Sequence, residues 1–146
     1  MKKLVQPVTE AHIKSILDNL WQRGEEELFQ YGLDKESAFL RFVHYAKIGI
    51  SKTYIINSNP ILACGIVTQK GESFTWFIAT SNFSNHALGI THFLHREVMK
   101  HKGDLYIYST CIHPDTQRWF NILGFNEDKW DGKTKSGFKL FRFKRR

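Results

Sequence analysis

The sequence predicts one α+β domain built on a mostly antiparallel sheet of six or seven strands with about four helices. Its 146 residues suit one domain of ordinary size, which we take to span residues 1–146. An apolar share of 42% and an aromatic share of 14% supply a substantial core and argue against disorder. Helical patterns in the first third of the chain give way to strand patterns, and two further helices interrupt those strands.

The first third predicts a short strand and two helices. Lys3–Val8 suits the strand, and Thr9 then suits the N-cap of a helix that runs to about Leu20. We expect the acidic run Glu25–Glu27 to form a solvated surface, either helical or in a loop. Apolar residues at helical spacing predict the next helix over residues 34–48, just before a glycine.

The middle of the chain predicts three strands. Thr53–Ile56 is short and rich in residues that favour strands. Ile61–Thr68 is almost continuously apolar, which is typical of a strand buried on both faces. Gln69–Glu72 suits a hairpin connection, and Ser73–Thr80 then alternates as a strand does.

The second half predicts helix, strand, helix and a final hairpin. A helix over Ser84–Lys102 joins the preceding strand to Leu105–Thr110, so these two strands form a parallel crossover. The next helix begins at Pro114, which suits a first helical turn. Phe125–Trp130 and Phe138–Phe143 then form a hairpin around the intervening polar residues.

The net charge and the two cysteines restrict the expected binding partners and cellular location. Twenty-one Lys and Arg against fourteen Asp and Glu give a net charge of +7, which favours anionic binding partners. The charge alone does not distinguish nucleic acid, a phosphate-bearing cofactor and a lipid surface as that partner. Cys64 and Cys111 make no disulfide framework, and the first residues lack the apolar stretch of a secretory signal. The apolar runs are too short to span a bilayer. We expect a cell-internal protein without a membrane span.

Two segments of the second half carry a family resemblance. RWFNILGF, Arg118–Phe125, resembles the helix-to-strand signature of the GNAT superfamily, the acetyl-CoA-dependent N-acyltransferases. The strand, loop and helix over Trp76–Leu94 resemble the cofactor-binding segment of that family. The resemblance covers roughly residues 52–143, and it implies a GNAT-like fold and acetyl-CoA as the cofactor.

A narrower resemblance joins four blocks of the sequence. LACG after Pro60, WFIATS over Trp76–Ser81, the aromatic strand Tyr106–Tyr108 and RWFNILGF together resemble the GNAT-like internal virion proteins of short-tailed podophages. That resemblance implies a virion-associated or assembly protein with phage or host proteins as partners, located in the virion or the host cytoplasm.

The cofactor loop departs from the family pattern. In the family, the glycines of a Q/R-x-x-G-x-G/A loop at a helix start let backbone amides approach the pyrophosphate. Here Gly89 is kept, while Ala87 replaces the middle glycine and Ser84 replaces the basic or amide residue, so acetyl-CoA binding is expected to be weakened or lost. Loss of one charge-assisted contact costs about 1.5–3 kcal/mol. The residues that the resemblance assigns to the cofactor are Ile78, Ala79, Thr80, Ser84, Asn85, His86, Ala87, Leu88 and Gly89. The alternative is that Ser84 or Asn85 only caps the helix.

The catalytic positions depart from the pattern as well. The strand that would carry a general base has no carboxylate after Glu72, which lies at its start. Phe120 occupies the place of the family's proton-donating tyrosine and has no proton to give. Cys111 follows the next strand and is a candidate for a site near the thioester, although a small apolar residue in the core is the favoured explanation. Catalytic residues therefore stay unassigned.

Two further patterns suggest binding. His92 and His95 lie three apart, but no cysteine or carboxylate spacing completes a metal site, so we expect none. Basic residues interleave with apolar ones at the C-terminus, namely Lys139, Arg142, Lys144, Arg145 and Arg146. They are either the end of a last strand with a frayed tail or contacts to phosphate, as in non-specific binding of nucleic acid.

The sequence leaves two main hypotheses. The first is a non-enzymatic GNAT-fold phage protein with a degenerate acetyl-CoA site, which binds partners through its sheet face and basic tail. The alternative is an active acetyl-CoA-dependent N-acetyltransferase that acts on a primary amine. The space between the strands of Trp76 and Tyr108 decides between them: an open cleft that leads to residues 84–89 favours the enzyme, and aromatic side chains filling that gap favour the first hypothesis.

Overall fold

A seven-stranded sheet with helices on both faces forms the body of the molecule. The computed structural model describes residues 2–146. The strand order is β1-β2-β3-β4-β5-β7-β6, and every neighbouring pair is antiparallel except β4 and β5. The strands are β1 (Lys3–Gln6), β2 (Ile50–Ile56), β3 (Asn59–Gln69), β4 (Glu72–Ala79), β5 (Tyr106–Ser109), β6 (Phe125–Lys133) and β7 (Lys139–Arg145). The α-helices are α1 (Glu10–Asp18), α2 (Gln22–Gln30), α3 (Lys35–Ile48), α4 (Ala87–Met99) and α5 (Pro114–Ile122). The predicted fold class is confirmed.

The start of α1 follows the sequence signal closely. The Thr9 hydroxyl accepts a hydrogen bond from the His12 amide at 3.1 Å, and the His12 ring accepts one from the Thr9 amide at 3.2 Å. This reciprocal arrangement pairs two amides that the first helical turn leaves free. The helix ends at Asp18 rather than at Leu20, because Leu20 leaves it to pair with Thr80 at the end of β4.

The acidic run Glu25–Glu27, for which the sequence allows a helix or a loop, lies in a helix, α2. None of its residues is fully buried, yet one face lies over the sheet. Glu25 and Glu26 are exposed, as expected, whereas Glu27 is half-buried, so the prediction is wrong for Glu27. Helix α2 reaches the second half of the chain through the Gln30 carbonyl, which accepts a hydrogen bond from the Thr134 hydroxyl at 2.8 Å.

Two apolar cores lie on opposite faces of the sheet. Helices α1 and α3 pack on one face of β3 and its neighbours, where Ile13 and Ile16 are fully buried. Helices α4 and α5 pack on the other face, where Phe125 and Leu105 are fully buried. Strand β3 contributes to both cores, as its apolar run predicts, because successive side chains point to opposite faces.

Three boundaries in the second half differ from the prediction. Helix α4 begins at Ala87, since a 3-10 turn over Ser81–His86 precedes it. Strand β6 continues to Lys133, because a register shift between Asp128 and Gly132 takes up the residues that we expected to form the turn. Strand β7 runs to Arg145, so the basic C-terminus is a paired strand rather than a frayed tail.

The parallel strands β4 and β5 separate almost as soon as they meet. One residue pair, Phe74 with Tyr106, joins them. Beyond that pair they diverge toward their carboxyl ends, at Ala79 and Ser109, and leave a gap in the middle of the sheet. Among residues 2–146, no helix is both long enough and apolar enough to cross a membrane.

Candidate functional site at the gap between β4 and β5

A cavity of about 1070 Å³ occupies this gap. Its wall combines β4 and β5 with the α1–α2 connection, α2, α3 and the start of α5. The side chains are mainly apolar and aromatic, with a few carboxyl, hydroxyl and guanidinium groups among them. A large apolar cleft with few polar groups is the usual form of a small-molecule site.

The chain itself occupies the edge of β4 beside the cavity. The Trp21 amide donates a hydrogen bond to the Ala79 carbonyl at 3.0 Å, and the Ser81 amide donates one to the Asn19 carbonyl at 3.3 Å. Backbone groups alternate sides along a strand, so the Ala79 carbonyl points toward the gap. The end of that edge is therefore already paired and is closed to another hydrogen-bonding chain.

Aromatic rings fill the space between this edge and α4. Trp21 stacks on Phe83 with ring centroids 5.1 Å apart, and Phe83 meets the Trp119 ring at 5.4 Å. Trp119 also meets Phe77 of β4 at 5.2 Å. We call these four residues the aromatic layer. Its Trp119 indole donates a hydrogen bond to the Thr91 hydroxyl at 2.9 Å, which ties α5 to α4.

The residues that the resemblance assigns to a cofactor do not come together. Ile78 and Ala79 line the cavity, whereas Thr80 is buried away from it. None of the six residues 84–89 lines the cavity, since the aromatic layer lies between. The residues in question are Ser84, Asn85, His86, Ala87, Leu88 and Gly89.

Local structure gives this loop other roles. The 3-10 turn over Ser81–His86 runs directly into α4, and no side chain caps the first turn of α4. Gly89 has a packing reason to be glycine, because a Cβ there would lie 2.9 Å from the Tyr54 hydroxyl oxygen. Residues 84–89 and the cavity therefore do not form one continuous surface.

An ion pair closes the cavity between α2 and α5. The Arg23 guanidinium lies 2.9 Å from the Asp115 carboxylate and donates a hydrogen bond to the Thr116 hydroxyl at 2.8 Å. The hydrogen bond from Arg23 lowers the pKa of Asp115 below its usual range. The pair is partly exposed, so it fixes the position of α2 more than it adds stability.

The two catalytic candidates, Glu72 and Cys111, and Phe120 at the place of the family's tyrosine all line the cavity but do not form one group. The Glu72 carboxylate accepts a hydrogen bond from the Tyr108 hydroxyl, and burial together with this bond raises the pKa of Tyr108 to about 12. Phe120 is buried among Phe77 and other rings, 6.1 Å from the Phe77 centroid. Cys111 is half-buried after β5, and its amide donates to the Ser109 hydroxyl at 3.1 Å.

The structure adds a residue that the sequence analysis missed, Glu27. Its carboxylate accepts a hydrogen bond from the Thr110 amide at 3.3 Å, at the end of β5. Burial raises the pKa of Glu27 to about 7, although hydrogen bonds from Thr110 and Ser109 oppose that rise. The signal was present in the sequence: Gly24, Glu27, Leu28 and Tyr31 recur at helical spacing, and all four line the cavity.

The basic residues near the C-terminus have partners inside the chain. Arg142 pairs with Asp128 at 2.6 Å, and Lys144 lies 3.6 Å from Asp104. Arg145 donates to the Val98 and Gly103 carbonyls, and Arg146 donates to Asn126 and to the Asn121 carbonyl. Lys139 lies over the Phe141 ring. These contacts hold the last strand against its neighbours. Because the basic side chains are engaged within the chain, fewer of them are available to bind phosphate groups. Residues 2–146 contain no group of three or more side chains placed to hold a metal ion.

Solved structures with the same fold are acetyltransferases. No protein-family model and no curated protein matches the chain. A GNAT superfamily phosphinothricin acetyltransferase from Sinorhizobium meliloti in complex with AcCoA matches 99% of this chain and 88% of its own, with a TM-score of 0.69 and 12% identity. The aminoglycoside 6'-acetyltransferase type Ii matches 97% of this chain and 96% of its own, with a TM-score of 0.67 and 13% identity. The PaiA N-acetyltransferase from Thermoplasma acidophilum in complex with coenzyme A matches 97% and 98%, with a TM-score of 0.66 and 12% identity.

The chain therefore has the GNAT acetyltransferase fold. At these identities the likeness extends to the fold and not to the chemistry of the site.

Proposed function

We propose that this chain is a GNAT-fold phage protein, virion-associated or active in assembly, which works through protein contacts and does not transfer acetyl groups. The observation that carries the proposal is the paired edge of β4. The pantetheine amides of acetyl-CoA would need to form hydrogen bonds with the edge of β4 that faces the gap. At the end of that edge, the Ala79 carbonyl already accepts a hydrogen bond from the Trp21 amide. Trp21 itself stacks on Phe83 over the route to α4.

Two further features support the loss of catalysis. The aromatic layer separates the cavity from residues 84–89, so a pyrophosphate bound at α4 and an acetyl group in the cavity would not belong to one molecule. Phe120 offers no proton to a departing thiolate. Electrostatic and acid–base groups supply much of the acceleration in acyl transfer, and these positions lack them.

Half-buried aromatic and arginine side chains on strands β5, β7 and β6 support the part of the proposal that concerns protein contacts. Helices α1 and α3 pack on β3 and its neighbours, and the same face of β5, β7 and β6 carries half-buried Tyr106, Tyr108, Trp130 and Arg142. The Arg142 guanidinium lies 4.8 Å from the Tyr106 ring centroid and 5.3 Å from that of Trp130. Tyr, Trp and Arg are the residues that contribute most at protein interfaces. The phage setting rests on the resemblance of the LACG, WFIATS and RWFNILGF blocks to internal virion proteins.

The test is a titration of the purified protein with coenzyme A, followed by a thiol-release assay with acetyl-CoA and a panel of primary amines. A site with a Kd of about 10 μM would be stabilised by about 2.7 kcal/mol at 1 mM ligand, which corresponds to a rise in Tm of several degrees. We expect no saturable heat, no such rise and no thiol release above the uncatalysed rate. Peptides of the protein in purified virions, found by mass spectrometry, would support the setting. Catalysed thiol release that disappears when Ala79 or Gly89 is substituted would overturn the proposal.

A second candidate function is the active N-acetyltransferase on a primary amine, and Glu27 favours it. A buried carboxyl with a pKa of about 7 is suited to accept a proton from an ammonium group near neutral pH. The same thiol-release assay separates the two functions. Under this second function, Glu27→Gln lowers the rate at least a hundredfold, whereas Glu25→Gln on the exposed side of α2 leaves it unchanged.

A further inference from the structure

Two phenylalanine rings lie exposed where the tip of the β6–β7 hairpin meets α2. Phe29 on α2 is 73% exposed, and Phe138, just before β7, is 38% exposed. Their ring centroids lie 6.1 Å apart, and the ring planes meet at 64°. Neither ring lines the cavity between β4 and β5. Scattered exposed apolar residues are ordinary on a protein surface, whereas rings in contact with each other form a patch of the kind that marks a contact site.

The turn of the hairpin is fixed to the end of α2. The Thr134 hydroxyl donates a hydrogen bond to the Gln30 carbonyl at 2.8 Å and accepts one from the Phe138 amide at 3.2 Å. The turn also packs closely on Gly32, where a Cβ would lie 2.6 Å from the Ser136 hydroxyl oxygen. The two rings are therefore held in place before any partner binds, so binding costs little ordering of this surface.

Three lysines lie in the same hairpin tip without an acidic partner. Lys133 and Lys139 are directly opposite each other on β6 and β7, and Lys135 lies in the turn between them. Like charges at opposite positions of a sheet repel each other. All three side chains are exposed, and within residues 2–146 none of them forms a salt bridge. Lys139 contacts the Phe141 ring, which leaves its charge in place. A bound anion would relieve the repulsion.

We propose that Phe29, Phe138 and these three lysines, which we call the tip patch, bind single-stranded DNA. The lysines contact phosphates, and a base stacks on the exposed face of the Phe29 ring. Each nucleotide of a strand carries one anion and one aromatic ring, and the tip patch offers a partner for both. Phenylalanine and lysine side chains accept no hydrogen bond, so the 2′-hydroxyl of RNA gains no acceptor there. This inference goes beyond the proposed function and does not depend on it.

Neighbouring charges favour a narrow strand over a flat membrane. Glu25 lies one helical turn before Phe29 on the same side of α2, and Asp34 and Glu36 follow shortly after it; all three carboxylates are exposed. An anionic membrane that reaches Phe29 would also approach these carboxylates and be repelled by them. A single strand can follow the lysines of the hairpin instead.

The experiment measures fluorescence anisotropy of a labelled thymidine oligonucleotide, about twenty nucleotides long, as the full chain is added at several NaCl concentrations. We expect saturable binding whose logarithm falls against the logarithm of salt with a slope of about −2, as three phosphate contacts on a single strand predict. The same length of duplex, and an abasic strand, are expected to bind at least fivefold more weakly, because neither offers a free base.

Two variants separate the lysines from the ring. Lys133→Gln is expected to make the slope shallower by about 0.7, since one phosphate contact is lost. Phe29→Leu is expected to weaken binding of the thymidine strand at least fivefold at every salt concentration, without changing the slope or the affinity for the abasic strand. Far-UV circular dichroism of each variant shows that it is folded.

Matched controls lie elsewhere on the surface. Lys47→Gln removes an exposed lysine of α3, and Met99→Ala removes an exposed apolar side chain at the end of α4; both are expected to bind as the unaltered protein does. Equal affinity for the thymidine and abasic strands, or a slope that Lys133→Gln leaves unchanged, would overturn the proposal. So would tighter binding of a uridine RNA strand, of a glutamate peptide or of phosphatidylserine vesicles, and so would no binding of the thymidine strand at low salt.

Discussion

Replacing Glu27 by glutamine is expected to stabilise the protein at neutral and alkaline pH. The carboxyl is buried against the end of β5, and its pKa rises from the ordinary 4.5 to about 7 because burial disfavours the charged form. In the unfolded chain the same group ionises near pH 4.5. The stabilising contribution of the neutral carboxyl is therefore complete below pH 4.5 and is lost as the pH rises to 7.

The size of this loss follows from the shift. Stability falls by about 1.4 kcal/mol for each pH unit between the two pKa values. The full shift would correspond to about 3 kcal/mol, and since part of the Glu27 side chain still meets solvent, we expect about 2 kcal/mol. Glutamine has the same shape, accepts the same hydrogen bond from the Thr110 amide and carries no charge, so it avoids that loss.

Urea denaturation at pH 5, 6, 7 and 8 measures the difference in unfolding free energy between Glu27→Gln and the unaltered protein. We expect a difference near zero at pH 5 that grows to about 2 kcal/mol in favour of the variant at pH 8. Glu25→Gln should show a difference that stays small at every pH. A Glu27→Gln difference that does not change with pH would refute the claim that burial raises the pKa of this carboxyl.

Three further predictions concern packing at the edges of the site. Gly89→Ala is expected to destabilise the protein by about 1 kcal/mol, because its methyl group meets the Tyr54 hydroxyl. In a Tyr54→Phe background the same change is expected to stabilise the protein by up to about 1 kcal/mol, because helix propensity prevails there. Thermal melts of the three variants and the unaltered protein test this, and the same sign in both backgrounds would contradict the packing role. Trp119→Phe should cost about 1–2 kcal/mol, most of it coupled to Thr91→Val in a double-mutant cycle, and a coupling near zero would speak against the hydrogen bond between them. Arg23→Gln should lower stability by no more than about 1 kcal/mol and speed hydrogen exchange of the α2 amides, whereas unchanged exchange would mean that the pair does not hold α2.

The sequence predicts elements well where one local rule acts alone. The cap at Thr9 and the proline at the start of α5 mark helix starts that the structure confirms. The unbroken apolar run of β3 correctly predicts burial on both faces. In each case the residue types that decide the outcome lie within a few positions of one another, so no distant contact is needed.

Other features depend on distant partners. The sequence left the segment of α2 open between helix and loop, because the face that lines the cavity combines a glycine and a carboxylate, with a tyrosine at the C-cap, and has few aliphatic residues. The early end of α1 depends on Thr80, about sixty positions further along the chain. The aromatic layer likewise joins four segments, so its rings read as ordinary core residues in the sequence. Candidate residues near the site were recognised, but whether they reach one another is a property of the tertiary structure.

Backbone pairing joins the two halves of this sheet at one residue pair, Phe74 with Tyr106. The antiparallel unit that ends at β4 and the three-stranded unit that begins at β5 are therefore held together mainly by side-chain packing. The core under α4 and α5 supplies that packing, because it joins Leu62 of β3 to Ile107 of β5 and Phe143 of β7. The width of the gap thus depends on how completely these side chains fill the core.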